Sequence, residues 1–201
     1  MTSIPKVLSP IGEAATAWIR TSREEYVVSP RPVATGRVLR SPTALGTYDI
    51  ANSRAQSYFL RIVSIAEAYT DAALETMFHL VVPSTSVATV RLLELHLLDA
   101  TQNWDGRKRS FMEHHGLSLG DRKEGFPDWS KFDGMIEVRN AIAHGLGTLT
   151  RQQRRNPLRT ASRCSQIGVR IEGGEIVVRP ENVSAAAAIG EAFVRWLDAK
   201  L

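Results

Sequence analysis

The sequence predicts a mainly α-helical bundle that closes with one small C-terminal β-hairpin and a final helix. Three observations point there. Apolar residues recur at steps of three and four over most of the chain beyond residue 48, the pattern of helices with one buried side. Strict alternation appears around Gly173-Gly174, a two-glycine turn of the kind that joins hairpin strands. Proline and glycine cut the periodic stretches into helix-sized pieces. No internal repeat is present.

Taken in order, Ser9-Pro10 reads as an N-cap with proline at the first helical position, opening a short helix to about Tyr26 that carries Ile11, Trp18 and Tyr26. Residues 27–47, with Pro30, Pro32, Pro42 and two glycines, predict an extended connector without regular structure. Residues 1–47 are thus an N-terminal helix and Pro-rich connector, and 48–201 the helical domain. From Tyr48 to Leu80 one long stripe of Phe59, Ile62, Val63, Ala66, Tyr69, Ala73 and Met77 predicts a long helix, ended by Pro83. Ser84, Thr85 and Ser86 offer an N-cap for a Leu-rich helix from Val87 to Ala100. Gly106 predicts a break before a short helix at 107–115, followed by a polar loop. Trp129 and Lys131 open the next helix, which stops at Gly145 or Gly147. Residues 150–164 read as a basic loop broken by Pro157. The hairpin spans 167–179, Pro180 ends it, and the last helix sets Ile189, Phe193, Trp196 and Leu197 on one side.

The composition of the 201 residues, 43% hydrophobic and 23% charged, excludes collagen-like, disordered and disulfide-rich classes. With Cys164 as the sole cysteine, neither an internal disulfide nor a cysteine-built zinc site can form. The N-terminal residues lack the apolar run of a signal peptide, and no run approaches the ~20 apolar residues of a membrane span. A cytoplasmic protein with no membrane partner is expected. The net charge of +4 conceals 20 Arg against five Lys. That excess fits a GC-rich genome as well as phosphate recognition. Position is more informative: between Glu137 and Glu172 there is no acidic residue, but there are Arg139, Arg151, Arg154, Arg155, Arg159, Arg163 and Arg170. Single-sign charge of this kind attracts polyanions, which makes Arg151, Arg154, Arg155 and Arg159 candidate RNA contacts. The alternative is a solvated basic loop without a ligand.

One residue stands out in the helix after Trp129. Phe132, Met135, Ile136, Ile142, Ala143 and Leu146 fall on one helical stripe, and Arg139 lies along its middle. A guanidinium on an apolar face must be paired or must line a cavity. A buried ion pair would draw on Glu67, Asp71, Glu75 or Glu94. Asn140 and His144, spaced i, i+4, share a face turned about 100–140° from that of Arg139. Arg139 and His144 can meet only if the long side chain curls round, the helix ends near Gly145, or a second chain contributes. The negative end of the helix dipole there favours the protonated imidazole that a general acid requires. A satisfied surface or core histidine is the bland alternative. Glu113-His114-His115 is the one tempting metal cluster, but adjacent histidines diverge on a helix, so no metal and no cofactor is assigned.

The stretch GMIEVRNAIAHGLGTLTRQQ resembles the signature of the HEPN superfamily (higher eukaryotes and prokaryotes nucleotide-binding), in which an Arg followed by a polar residue precedes a His by four to six positions. Arg139-Asn140-Ala141-Ile142-Ala143-His144 has the four-residue spacing. Arg91 with His96, and Arg107 or Arg109 with the following histidines, satisfy the spacing too. Only Arg139 is followed by Asn and lies in a short helix closed by glycines. The order of helices from about residue 50 to 200, with the WDGRKRSF segment between them, is similar to one bacterial subgroup of that superfamily. The resemblance implies a metal-independent endoribonuclease that cleaves RNA by attack of the ribose 2′-OH. It implies Arg139 and His144 as catalytic pair, Asn140 as adjacent polar member, and a homodimer whose motif helices face each other. It further implies a toxin or phage-defence effector, with room for a cognate antitoxin. The other readings are a non-catalytic HEPN module that binds RNA, nucleotide or a protein partner, and a helical scaffold whose basic loop only solubilises it.

Overall fold

The computed structural model describes residues 7–29, 35–41, 44–81, 86–121 and 123–201. Pro30, Pro32, Pro42, Pro83, Ser84 and Thr85, which carried breaks in the sequence pattern, lie outside them. The chain is mainly helical, with a small C-terminal antiparallel hairpin and a last helix, as the periodicity predicts. In chain order the elements are α1 (Pro10–Val28), β1 (Thr35–Ser41), β2 (Ala44–Asp49), α2 (Ile50–Val81), α3 (Val87–Thr101), α4 (Trp104–His115), α5 (Trp129–Gly145), a single 3-10 turn (Gln153–Arg155), α6 (Pro157–Ser165), β3 (Arg170–Glu172), β4 (Glu175–Val177) and α7 (Pro180–Asp198).

Four expectations change. The stretch read as an irregular connector contains β1 and β2, paired antiparallel from Thr35↔Asp49 to Ser41↔Ala44 with an irregularity after Leu39. Gly106 sits inside α4 rather than before it. Asn103 caps that helix by accepting from the Gly106 amide at 2.8 Å, and a Cβ on Gly106 would lie 2.6 Å from the Ala100 carbonyl, so glycine is what lets α4 start so close behind α3. Pro157 opens α6 instead of breaking a loop: at the first helical position its missing N–H costs nothing, and Asn156 caps it through the Arg159 amide. In α1 the buried side is Ala15, Ile19, Ser22 and Tyr26, whereas Ile11 and Trp18 face solvent.

Residue contacts divide the chain into two compact units, one of Met1–Ala17, Ile65–Trp129 and Glu191–Leu201, the other of Trp18–Ser64 and Ser130–Gly190. The first unit has an aromatic centre. Phe193 is fully buried, with the rings of Trp104, Phe126, Trp129 and Trp196 at 5.4–6.3 Å. Arg107 forks onto both oxygens of Asp71 at 2.6 and 2.8 Å, and the Trp104 indole donates to Glu67 at 2.8 Å. Near the end of α7 the buried Asp198 carboxylate accepts from the amide and hydroxyl of Ser9 and from the Tyr69 hydroxyl. Burial and that carboxylate together push the Tyr69 phenol well above its ordinary range. Ser9, the predicted N-cap, also accepts from the Gly12 amide at 3.1 Å.

In the second unit the core is mostly aliphatic with two phenylalanines, built on Ile19, Phe59, Ile62, Val63, Phe132, Met135, Cys164, Ile176 and Val183, all fully buried. Both hairpin glycines have positive φ (57° and 83°), as a two-residue turn of this kind needs. β4 is held by α2: Asn52 and Gln56 both donate to the Ile176 carbonyl, and Asn52 accepts from the Val178 amide. Asp49 accepts from the Asn52 amide at 3.1 Å and so caps the start of α2.

Candidate active site

The motif occupies the last two turns of α5, within the second unit. The buried side of α5 is Phe132, Gly134, Met135, Ile136, Val138 and Ala141. This corrects the sequence stripe in its C-terminal half. Ile142 is only half-buried, Ala143 and Leu146 are exposed, and Arg139 lies half-buried at the margin of the core rather than inside it. The misreading has a simple cause. Near the end of a helix there is less packed core, so periodicity no longer reports burial.

Arg139 and His144 do meet. The guanidinium Nη1 lies 3.3 Å from His144 Nε2 and donates to Asn140 Oδ1 at 3.2 Å. The five-residue offset is bridged within one chain by the reach of the arginine and by the helix ending at Gly145. An arginine can only donate, so a hydrogen bond here requires the tautomer whose ring proton sits on Nδ1 and whose Nε2 lone pair is free. Asn140, with one of its oxygen lone pairs, fixes where the guanidinium sits.

The turn that follows is tightly built. The Gly147 amide returns to the Ala141 carbonyl at 3.2 Å, and both the amide and the hydroxyl of Thr148 donate to the Gly145 carbonyl. Leu146, 85% exposed, has φ +52°, a left-handed conformation costing about 1–2 kcal/mol for a residue with a Cβ. Gly147 follows at φ +84° with the Gln56 amide against it. The hairpin clasps this turn: the Ile176 amide donates to Gly147 at 2.7 Å and the Leu149 amide to Gly174 at 2.9 Å. A chain from α2 through β4 to the motif turn therefore positions His144.

The basic stretch is tied to the same helix from its other side. Gln153 is buried and donates from Nε2 to the Glu137 carbonyl (2.8 Å) and carboxylate (3.0 Å), two residues before Arg139. Glu137 also accepts from Thr160 and Arg163, and Arg163 reaches Asp133 at 2.9 Å through Nε. Arg163 is thus spent on structure and leaves the set of free cations. Arg151, Arg154, Arg155 and Arg159 are exposed and, among the described residues, make no ion pair. Cys164 is buried beside this network; burial first, then the nearby Glu137 charge, push its thiol up to about 12, so it stays protonated and inert near neutrality.

Two of the carboxylates offered as partners for Arg139 are otherwise engaged, Asp71 by Arg107 and Glu75 by His79 at 3.7 Å, while Glu67 accepts from Trp104. Glu94 is exposed and pairs with Arg91. His114 and His115 pack with His96 around the Phe78 ring, at 5.2–5.3 Å. Asn52, Gln56, Glu137 and Gln153, which position the site, were not singled out by the sequence. Asn52 and Gln56 do share a helical face at i, i+4, but their hairpin partner lies some 120 residues away. No helix among the described residues is long and apolar enough to cross a membrane. Comparison of the chain with protein-family models, with curated proteins and with solved structures gives no match.

Proposed function

We propose that this chain is a metal-independent endoribonuclease of HEPN type. The observation that carries the reading is the approach of Arg139 to His144 Nε2 at the end of α5, beside an exposed arginine-rich segment. The chemistry follows from the residue types. His144 Nε2 takes the proton of the ribose 2′-OH as that oxygen bonds to the neighbouring phosphorus. Arg139 turns its guanidinium to the phosphoryl oxygens and stabilises the crowded phosphorane. The bond from phosphorus to the 5′-oxygen then breaks, and the imidazolium returns its proton to the leaving oxygen. The products are a 2′,3′-cyclic phosphate and a 5′-hydroxyl. Arg151, Arg154, Arg155 and Arg159 supply the salt-dependent attraction for the strand. An unrestrained enzyme of this kind damages its own cell's RNA, and in that sense we read it as a toxin- or defence-type effector. A dimer of the sort the family resemblance implies would add a second turn but no missing catalytic group.

The test is incubation of the purified chain with end-labelled single-stranded RNA in EDTA. Cleavage with cyclic-phosphate ends is expected, and His144→Ala should slow it by about 10²–10⁴-fold while leaving the circular dichroism unchanged. Arg139→Ala should do the same. Parent and His144→Ala acting equally would refute the assignment. The second reading, a binding module without catalysis, is favoured by one detail: Arg139 is already engaged by Asn140 and His144, as a structural pair would be. Salt-sensitive RNA binding without cleavage would select it.

A further inference from the structure

We infer that α3 is the contact surface for a second copy of this chain, packed antiparallel on itself about a two-fold axis at Leu95. Of the fifteen residues of α3 only Ala100 is buried. Leu92, Leu95 and Leu98 are 69%, 49% and 64% exposed and form one stripe with Arg91 and Asp99, which are exposed as well. At 100° per residue all five lie within about 60° of Leu95, on the face opposite Ala100. A helix of this length is marginal on its own in water and draws its stability from a covered apolar face. Here Leu93 and Leu97 are half-buried and Ala100 is buried on the inner side, whereas among the described residues nothing covers the outer stripe of Leu92, Leu95 and Leu98.

The choice of occupant rests on charge placed symmetrically about the stripe. Arg91 stands four residues before Leu95 and Asp99 four residues after it. An antiparallel copy related by a two-fold axis at Leu95 sets Arg91 level with the partner copy's Asp99, and Asp99 level with that copy's Arg91. Leu95 then meets itself and Leu92 lies level with Leu98. Such a surface is self-complementary, which is what an isologous interface requires. A parallel pairing would set like charges together instead. A lipid surface fits less well, because the helix carries one cation, Arg91, against Glu94 and Asp99. Arg91 spans the short distance to Glu94 of its own helix at 3.2 Å, a surface pair worth little and readily exchanged.

The inference does not depend on the ribonuclease reading, and its test uses no RNA. Analytical ultracentrifugation of the full chain, at concentrations up to roughly 100 μM, is expected to show a dimer. Leu95→Asp should leave a folded monomer, since the side chain it replaces is exposed. Arg91→Glu and Asp99→Arg should each weaken the dimer by about tenfold or more, and the double exchange Arg91→Glu with Asp99→Arg should recover most of that loss. Leu95→Cys should form a disulfide-linked dimer on mild oxidation, because the native Cys164 is buried. A monomeric parent overturns the proposal. So does a dimer that Leu95→Asp leaves intact, which another surface must hold, or a double exchange no tighter than either single one.

Discussion

At the scale of single residues, what sets the geometry of the motif is how far a side chain reaches. Arg139 and His144 point about 140° apart on an ideal helix, yet their nitrogens lie 3.3 Å apart because the guanidinium bends past Asn140 toward the helix end. Arg163 shows the opposite outcome: counted among the free cations, it is neutralised by Asp133 and Glu137. His115 gives a prediction at this scale. Its Nε2 is buried without a hydrogen-bond partner, and burial first, then the neighbouring His114, lower its pKa below 6.5. The folded chain therefore binds this proton less well than the unfolded one. The stability it permits is full above about pH 6.5 and is lost as the pH falls through 6.5 toward the lower folded value. Urea midpoints should drop between about pH 7.5 and 5.0, and His115→Gln should flatten that drop. Equal pH dependence in both proteins would contradict it.

At the scale of elements, close backbone approach decides what periodicity cannot. Gly134 lies on the buried side of α5, and a Cβ there would stand 2.4 Å from the Arg163 carbonyl of α6. Alanine normally favours a helix, but here it should push α6 away and lower stability by about 1–3 kcal/mol, read from urea unfolding. A neutral or stabilising effect would mean that α5 and α6 are not in contact at this point. Pro157 and Gly106 teach the same lesson. Residue type alone predicts a break at both, whereas their neighbours Asn156 and Asn103 supply caps that turn the positions into helix starts. The cap at Ser9, the glycine turn at 173–174 and the apolar stripe of α2 were all legible, because each rests on residues near in sequence. The clamp of Asn52 and Gln56 on β4 was not, because its two sides lie more than 120 residues apart in part.

At the scale of the whole molecule, Asp198 draws distant parts of the chain to one carboxylate: Ser9 at the start of α1, Tyr69 in α2 and its own position at the end of α7. Asp198→Asn leaves a single acceptor oxygen, so at least one of the three donors faces an amide N–H, and it removes the charge that strengthens all three bonds. A loss of about 1.5–3 kcal/mol in urea unfolding is expected, and an unchanged midpoint would show that Ser9 and Tyr69 find other acceptors. Net charge behaves in a similar way. The +4 of the chain says little, since what matters is which arginines stay exposed after packing. Gln153 anchors the exposed ones to the motif helix through Glu137.

By itself the sequence determined the helical class, the C-terminal hairpin and the helix that carries Arg139, Asn140 and His144. These follow from apolar periodicity, caps and turn glycines, which act between residues a few positions apart. Only the tertiary structure decided which half of the α5 stripe is buried, that Arg139 closes on His144 within one chain, that Arg163 is neutralised, and that α3 keeps Leu92, Leu95 and Leu98 in solvent. Each of these depends on which surfaces meet after folding, and hydrophobic pattern records that a face is apolar without recording what, if anything, covers it.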